Sequence, residues 1–173
     1  MNTPYHQKPI EAAFLSRSKN LYGRSINSLR AQLGVRARLH RFEAVKAVQT
    51  ALWSGRAPQL ELAVVDYPVL SENEGLPQFS LSGGGNLPAL LLLRKSEMSA
   101  AEAALEAGYK ALLFVDSDRE FRQMFPAMVL RIVTYYRAEM QRAELFGNPA
   151  TAAASELGMS EEALRPLPLM HRN

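Results

Sequence analysis

The sequence predicts one α/β domain with an extension, in which helices cover both faces of a five-stranded parallel sheet. Apolar runs of strand length alternate five times with segments that carry apolar residues at helical spacing. Residues 87–93 are apolar throughout, which is typical of a strand buried on both faces of a parallel sheet. Consecutive parallel strands need crossover connections, and helices of the predicted lengths supply them.

Local patterns predict the first three strands and two helices. Strands are predicted at 10–15, 35–42 and 60–65, and helices at 20–33 and 43–53. The second strand alternates apolar and basic residues, as an outer strand does. Gly34 stands where the first helix needs a C-cap, and Ser54-Gly55 ends the second helix. The third strand stops at Asp66.

The second half of the chain continues the alternation less regularly. Residues 71–87 are rich in glycine and serine, which indicates a long loop or a poorly formed helix. Within this stretch Gly83-Gly84-Gly85 is interpreted as a flexible linker. Two further strands are predicted at 87–93 and 111–115, and an alanine-rich helix is predicted between them at 99–107.

A long last helix is predicted to run from Ser117 to Phe146. Ser117 and Glu120 have the spacing of a capping box at its start. Pro126 either kinks this helix or begins a new one, and the sequence leaves both possibilities open.

Composition limits the functional classes. The chain has 173 residues, of which 47% are hydrophobic and 21% charged, as in an ordinary soluble globular protein. It has no cysteine and only three histidines, which are far apart, so we expect no disulfide, no metal site and no cofactor. The longest purely apolar stretch, 89–93, is too short to span a membrane. Because no signal peptide is visible either, a cytoplasmic location is expected.

The net charge of +3 is too small to predict a nucleic-acid-binding protein. The first 41 residues are nevertheless basic, with eight lysines and arginines against Glu11 alone. From the sequence alone, these cations are interpreted as part of a solvated surface.

Four segments resemble the receiver domains of bacterial two-component response regulators, the CheY-like family. They are LGVRARLHRFEAVKAV (33–48), LELAVVDYPV (60–69), LPALLLLRKSE (87–97) and ALEAGYKALLFVDSD (104–118). They occur in the family's order, and the likeness spans residues 10–142. The resemblance implies a flavodoxin-like, doubly wound sheet of strand order 2-1-3-4-5, with the site at the carboxyl ends of the strands.

The same resemblance implies a degenerate phosphorylation site. Asp66 takes the phosphoacceptor position, but Ser16 and Arg17 replace the acidic pair that holds Mg²⁺ in receivers. Leu93 and Arg94 stand where the fourth strand should end in Thr or Ser, and Val115 replaces the lysine that ends the fifth strand. Because phosphoryl transfer to a carboxylate needs a metal ion, the resemblance implies a pseudo-receiver that acts without phosphorylation.

Three interpretations of Asp66 stay open. It is an N-cap or loop residue, or it forms an internal ion pair with Arg17 or Arg94, or it is still phosphorylated. In the last case Arg17 or Lys95 would have to substitute for the metal ion.

The last helix carries more apolar surface than packing on a sheet requires, which indicates a partner. The predicted interface residues are Phe121, Phe125, Met128, Ile132, Tyr135, Tyr136 and Met140. In the family the fourth helix, fifth strand and fifth helix commonly form the dimer face. We therefore expect a homodimer through the last helix, or docking of another signalling or regulatory protein.

Residues 1–9 are predicted to be a flexible arm, 10–146 the receiver-like domain and 147–173 a short helical tail. Residues 150–164 are similar to the first half of a helix-turn-helix. Glu161 and Glu162 would repel phosphates, and Pro166 soon ends the second helix. The leading hypothesis is thus a non-enzymatic signalling module, and a small DNA-binding transcriptional regulator is the alternative. An enzyme is not expected, because no nucleophile–base pair is recognisable.

Overall fold

A five-stranded parallel sheet forms the centre of the computed structural model, which describes residues 8–55, 59–70 and 75–146. The strands are β1 (Ile10–Leu15), β2 (Ala37–Phe42), β3 (Leu62–Asp66), β4 (Phe79–Ser80), β5 (Asn86–Leu87), β6 (Ala89–Leu93) and β7 (Ala111–Phe114). The helices are α1 (Lys19–Leu33), α2 (Val45–Trp53), α3 (Ala100–Glu106) and α4 (Asp118–Phe146). The sheet order is β2-β1-β3-β6-β7 with every pair parallel, which confirms the predicted doubly wound fold.

Two apolar layers cover the sheet, because successive side chains of a strand point to opposite faces. One layer joins Phe14 and Leu92 to residues of α1 and α4. The other joins Leu15 and Leu93 to residues of α2 and α3. The central strands β1, β3 and β6 are buried along their whole length, which explains why their sequences show no alternation of apolar and polar residues.

The connection from β3 to β6 differs from the prediction. The predicted alternation requires a helix between β3 and β6, and this prediction is wrong for the described residues. They contain a 3-10 turn (Tyr67–Val69) and the antiparallel pair β4–β5 instead. Gly84 and Gly85 adopt φ values of 92° and 76° between these two short strands. Glycine adopts such positive φ values without strain, so this stretch favours a hairpin turn over a helix or a flexible linker.

The last helix is continuous from Asp118 to Phe146, and Pro126 lies buried inside it. The Ser117 hydroxyl accepts a hydrogen bond of 3.3 Å from the Glu120 N–H, as the predicted cap requires. The chain divides into two compact units, residues 1–136 and 137–173, and the described part of the second unit is the helical segment 137–146. None of the helices in the described ranges is long and apolar enough to cross a membrane.

Two predicted segments fall mainly outside the described residues. Of the arm at 1–9 only residues 8 and 9 are described, and the helical tail at 147–173 lies wholly outside. The proposed domain boundaries therefore stay predictions.

Candidate functional site

Asp66 is the last residue of β3 and is only 3% exposed. Ser16 follows β1 and Arg94 follows β6, the two strands that flank β3 in the sheet. Because parallel strands end at the same edge, the topology brings these three residues together. The site lies where the likeness to receiver domains places it.

Both carboxylate oxygens of Asp66 are engaged. The Ser16 hydroxyl, which is fully buried, donates to Oδ2 at 2.7 Å. The Arg94 guanidinium donates to Oδ1 through Nη1, forming an ion pair in which the Asp66 side chain is buried and the Arg94 side chain is 29% exposed. Ser16 Oγ also accepts a bond of 3.0 Å from the Ser18 N–H, which fixes the orientation of the hydroxyl.

These contacts distinguish between the interpretations of Asp66. Asp66 makes no side-chain capping bond to the turn that follows it, and Arg94 is its ion-pair partner. Arg17 is exposed, and its carbonyl accepts a bond of 3.2 Å from Arg41 Nη2. Of the two arginines considered, the structure therefore places only Arg94 against Asp66.

The loop after β6 is held at several points. The Arg94 N–H donates to Glu97 Oε2 at 2.8 Å, and the Lys95 N–H donates to Asp116 Oδ2 at 2.8 Å. Leu93, the last residue of β6, and Val115, which follows β7, are 0% and 7% exposed. They contribute apolar packing at the positions where the resemblance to receivers would predict a hydroxyl and an ammonium group.

The residues at this edge do not fit a divalent metal ion. Mg²⁺ binds through carboxylates and other oxygen ligands, and Asp66 already has a guanidinium against it. Across the described ranges, no group of three or more His, Cys, Asp or Glu side chains could hold a metal. Chemically, the arrangement neutralises and shields a carboxylate rather than presenting a nucleophile.

Three of the predicted interface residues of α4 belong to the core. Phe121, Phe125 and Ile132 are 0%, 0% and 8% exposed and pack on the sheet, so their assignment to a partner surface is wrong. The apolar stripe recognised in the sequence was the core-facing side, because a helix buries its most continuous apolar face first.

The other four predicted interface residues are more accessible. Tyr135 and Met140 are 58% and 45% exposed, whereas Met128 is half-buried against the core. Burial, and secondly the charge of Glu61, raise the pKa of the Tyr136 phenol. A surface for a partner would therefore lie on the flank of α4 rather than on the predicted stripe.

Sequence reasoning missed two polar features. The hydroxyl of Ser16 was considered only as a lost carboxylate, yet it donates to Asp66. Glu11 is 8% exposed and contacts His40 Nε2 at 2.6 Å and Arg38 Nη1 at 3.3 Å. The sequence contained an indication of the Glu11 contacts, because Glu11 is the only charged residue in a strand that is otherwise apolar and a buried charge needs a partner.

No protein-family model and no curated protein matches the chain, but several solved structures do. The phosphorylated cyanobacterial phytochrome response regulator RcpA overlays with a TM-score of 0.53 at 10% identity, covering 69% of this chain and 91% of that one. A response regulator receiver protein from Burkholderia phymatum gives a TM-score of 0.54 at 17% identity, covering 73% and 96%. A fusion that carries the trimeric coiled coil of yeast Spc42 gives 0.56 at 16% identity, covering 90% and 92%.

At such identities the likeness concerns the fold. It agrees with the observed sheet order, in which the second strand lies at one edge and the last strand at the other. The carboxyl edge of that sheet holds Asp66, Ser16 and Arg94 as described above. The chain therefore has the CheY-like fold of response-regulator receiver domains.

Proposed function

We propose that this protein is a pseudo-receiver, a non-enzymatic signalling module that acts without aspartyl phosphorylation through dimerisation or docking of a partner protein. One observation carries the proposal: Asp66 is buried, and Ser16 and Arg94 occupy its two oxygens. The alternative, a DNA-binding regulator that uses the tail, rests on residues outside the described ranges.

Phosphorylation of Asp66 would require several changes at once. An incoming phosphoryl group needs a free carboxylate oxygen and enough positive charge to offset its own. Arg94 neutralises Asp66 in the resting state, so its charge is not available to a donor. Rotation of Arg94 away from the site would leave the carboxylate buried without its counter-charge, which is costly.

Incubation with acetyl phosphate and Mg²⁺ is expected to leave Asp66 unmodified, because both of its oxygens are engaged and the described residues offer no group of metal ligands around them. Intact-mass and peptide mass spectrometry measure the result. A metal-free incubation tests whether Arg17 or Lys95 can replace the ion, and an active receiver domain serves as positive control. An acid-labile phosphoryl adduct that disappears in Asp66→Asn would contradict the proposal.

The surface around α3 and α4 supports self-association. Met124, Met128 and Tyr135 recur at helical spacing along one flank of α4, and all three are at least partly exposed. Methionine and tyrosine are enriched in protein interfaces. In the receiver family the corresponding elements commonly form the dimer face, and the likeness to a coiled-coil fusion is a further reason to test oligomeric state.

The acidic charge of α3 in one copy is complementary to the basic charge of α4 in a second copy. The exposed residues of α3 include Glu102 and Glu106 and no cation. Between residues 121 and 138, α4 carries three arginines and no acid, and one of the three, Arg122, already pairs with Asp118 at 2.7 Å. Two copies related by a two-fold axis could therefore pair the acidic α3 of each with the basic stretch of the other, which favours association and fixes orientation.

Tyr135→Glu is expected to weaken self-association by about tenfold or more, since truncating or charging an interface aromatic commonly costs more than ~1.4 kcal/mol. Sedimentation equilibrium over a concentration series measures the dissociation constant. Thr134→Glu is the matched control, because Thr134 is also exposed but lies on another side of the helix. Equal behaviour of the two variants, or a monomeric wild type, would count against a dimer through this flank.

A further inference from the structure

Positive charge is concentrated in the first third of the described chain. Residues 8–55 contain nine lysines and arginines and two acids, whereas ranges 59–70 and 75–146 together contain eight cations and ten acids. A net charge of +3 for the whole chain conceals this separation. Such asymmetry between parts of one fold is typical of proteins that meet a polyanion.

The fold gathers these cations around one edge of the sheet. β2 is an edge strand that pairs only with β1, and α1 and α2 lie next to it in the chain on opposite faces of the sheet. Six exposed cations lie on or next to these three elements, and one of them, Arg38, pairs with Glu11. We call the other five the basic edge: Arg17, Lys19, Arg30, Arg36 and Lys46. Their grouping is a product of the topology, since they span 30 positions in sequence.

The two acids of residues 8–55 already have other partners. Glu11 is buried and paired with Arg38 and His40, and Glu43 is paired with Arg41 at 2.7 Å. Within the part of the chain that the structure describes, none of the five cations of the basic edge forms an ion pair. Among the described residues, the positive charge of the basic edge is therefore not offset by ion pairs.

The outer face of α1 gives this edge a defined shape. Lys19, Gly23, Asn27 and Arg30 share that face, because they are spaced by four, four and three residues. The two cations lie about 16 Å apart along the helix at ~1.5 Å per residue. A Cβ at Gly23 would meet nothing within 4 Å, so packing does not require glycine at this helix-interior position, where it lowers stability. An open glycine between two cations allows an extended backbone to approach the helix closely.

We propose that the basic edge binds the phosphate backbone of a nucleic acid. Six of the nine cations in residues 8–55 are arginines, whose planar guanidinium groups can bind phosphate oxygens in pairs. An anionic membrane is less suited, since among the described residues of α1, β2 and α2 only Trp53 is a large exposed hydrophobic side chain. This activity is independent of the pseudo-receiver proposal, because it uses neither Asp66 nor α4.

Binding through this edge has a measurable salt dependence. If all five cations neutralise phosphates, the logarithm of the association constant should fall by about 4.5 for each tenfold rise in salt with duplex DNA, and by about 3.5 with a single strand. Fluorescence anisotropy with the full chain, repeated over a series of salt concentrations that starts at low salt, measures both slopes. A short DNA duplex and a single-stranded RNA serve as separate probes and identify which nucleic acid is preferred.

The decisive comparison uses two variants of equal charge change. Lys19→Glu/Arg30→Glu is expected to weaken binding at least tenfold and to reduce the salt slope by about two, whereas Lys110→Glu/Arg119→Glu should change affinity less than about threefold. All four side chains are exposed, so thermal melting by circular dichroism is expected to be the same for both. Failure of the wild type to bind either probe, an equal loss in both variants, or binding only to phosphatidylserine vesicles would overturn the proposal.

Discussion

Arg94→Met is expected to lower the free energy of unfolding by about 3 kcal/mol, the order expected when one partner of a buried ion pair is removed. The Asp66 side chain is 4% exposed and would be left charged with Ser16 as its only described side-chain partner. Methionine keeps most of the apolar stem of arginine, so the loss reports on the charge. Urea denaturation followed by circular dichroism measures the change.

Two further variants make this prediction specific. Asp66→Asn should cost less, about 1 kcal/mol, because the amide still accepts from Ser16 and Arg94 is exposed enough to be hydrated. The double variant Asp66→Asn/Arg94→Met should be more stable than Arg94→Met alone, since no buried charge remains. If Arg94→Met proved as mild as Arg131→Met, on the exposed surface of α4, the ion pair would not stabilise the fold.

Phe125→Ala is expected to lower the free energy of unfolding by about 3–5 kcal/mol, because it removes a fully buried aromatic side chain and leaves a cavity. The Phe125 ring stacks on the Phe121 ring of the same helix with 5.0 Å between centroids. The guanidinium of Arg24, a residue of α1, lies 5.1 Å from the Phe121 centroid. Equilibrium denaturation of the purified variant gives the value.

The adjacent residue supplies the control for this experiment. Met124 precedes Phe125 in the same helix but is 45% exposed, so Met124→Ala should change stability by less than about 1 kcal/mol. A change in oligomeric state would be expected from Met124→Ala and not from Phe125→Ala at concentrations where both are folded. If Phe125→Ala were stable but altered self-association, Phe125 would have to be assigned to the interface, which would contradict its placement in the core.

The proposed activities use different parts of one scaffold. The carboxyl edge of the sheet holds a neutralised aspartate, the flank of α4 is proposed for self-association, and the basic edge around β2 is proposed for a polyanion. At the carboxyl edge, the Arg94–Asp66 pair and the Lys95–Asp116 bond connect the end of β3 with the loops that follow β6 and β7. We therefore expect the receiver-like scaffold to be constitutively in one state.

Local patterns predicted the sheet well. The strands of the parallel sheet and all four helices begin and end within two residues of the predicted positions, with Gly34 at the C-cap of α1 as expected. Because β1, β3 and β6 are buried on both faces, they are apolar apart from Glu11 and Asp66, and such apolar runs can be recognised in the sequence alone. The connection between β3 and β6 was less predictable, because two-residue strands carry almost no periodic signal.

The amphipathic pattern of α4 predicted a helix, but it did not show which of its apolar residues pack on the sheet and which stay exposed. Phe121, Phe125 and Ile132 looked available for a partner because the width of an apolar stripe does not reveal how much of it the sheet covers. The same limit applies to the basic residues of the first third, which looked dispersed along the chain until the edge position of β2 brought them together.

The sequence by itself determined the parallel α/β scaffold, the absence of an acidic pair after the first strand, and the position of Asp66 at the end of β3, because these depend on residue type and local order. Only the tertiary structure decided that Arg94 rather than Arg17 neutralises Asp66 and that Ser16 donates to it. The reason is physical: Ser16 and Arg94 follow two different strands that flank β3, and their distance from Asp66 is set by sheet order and register rather than by separation along the chain.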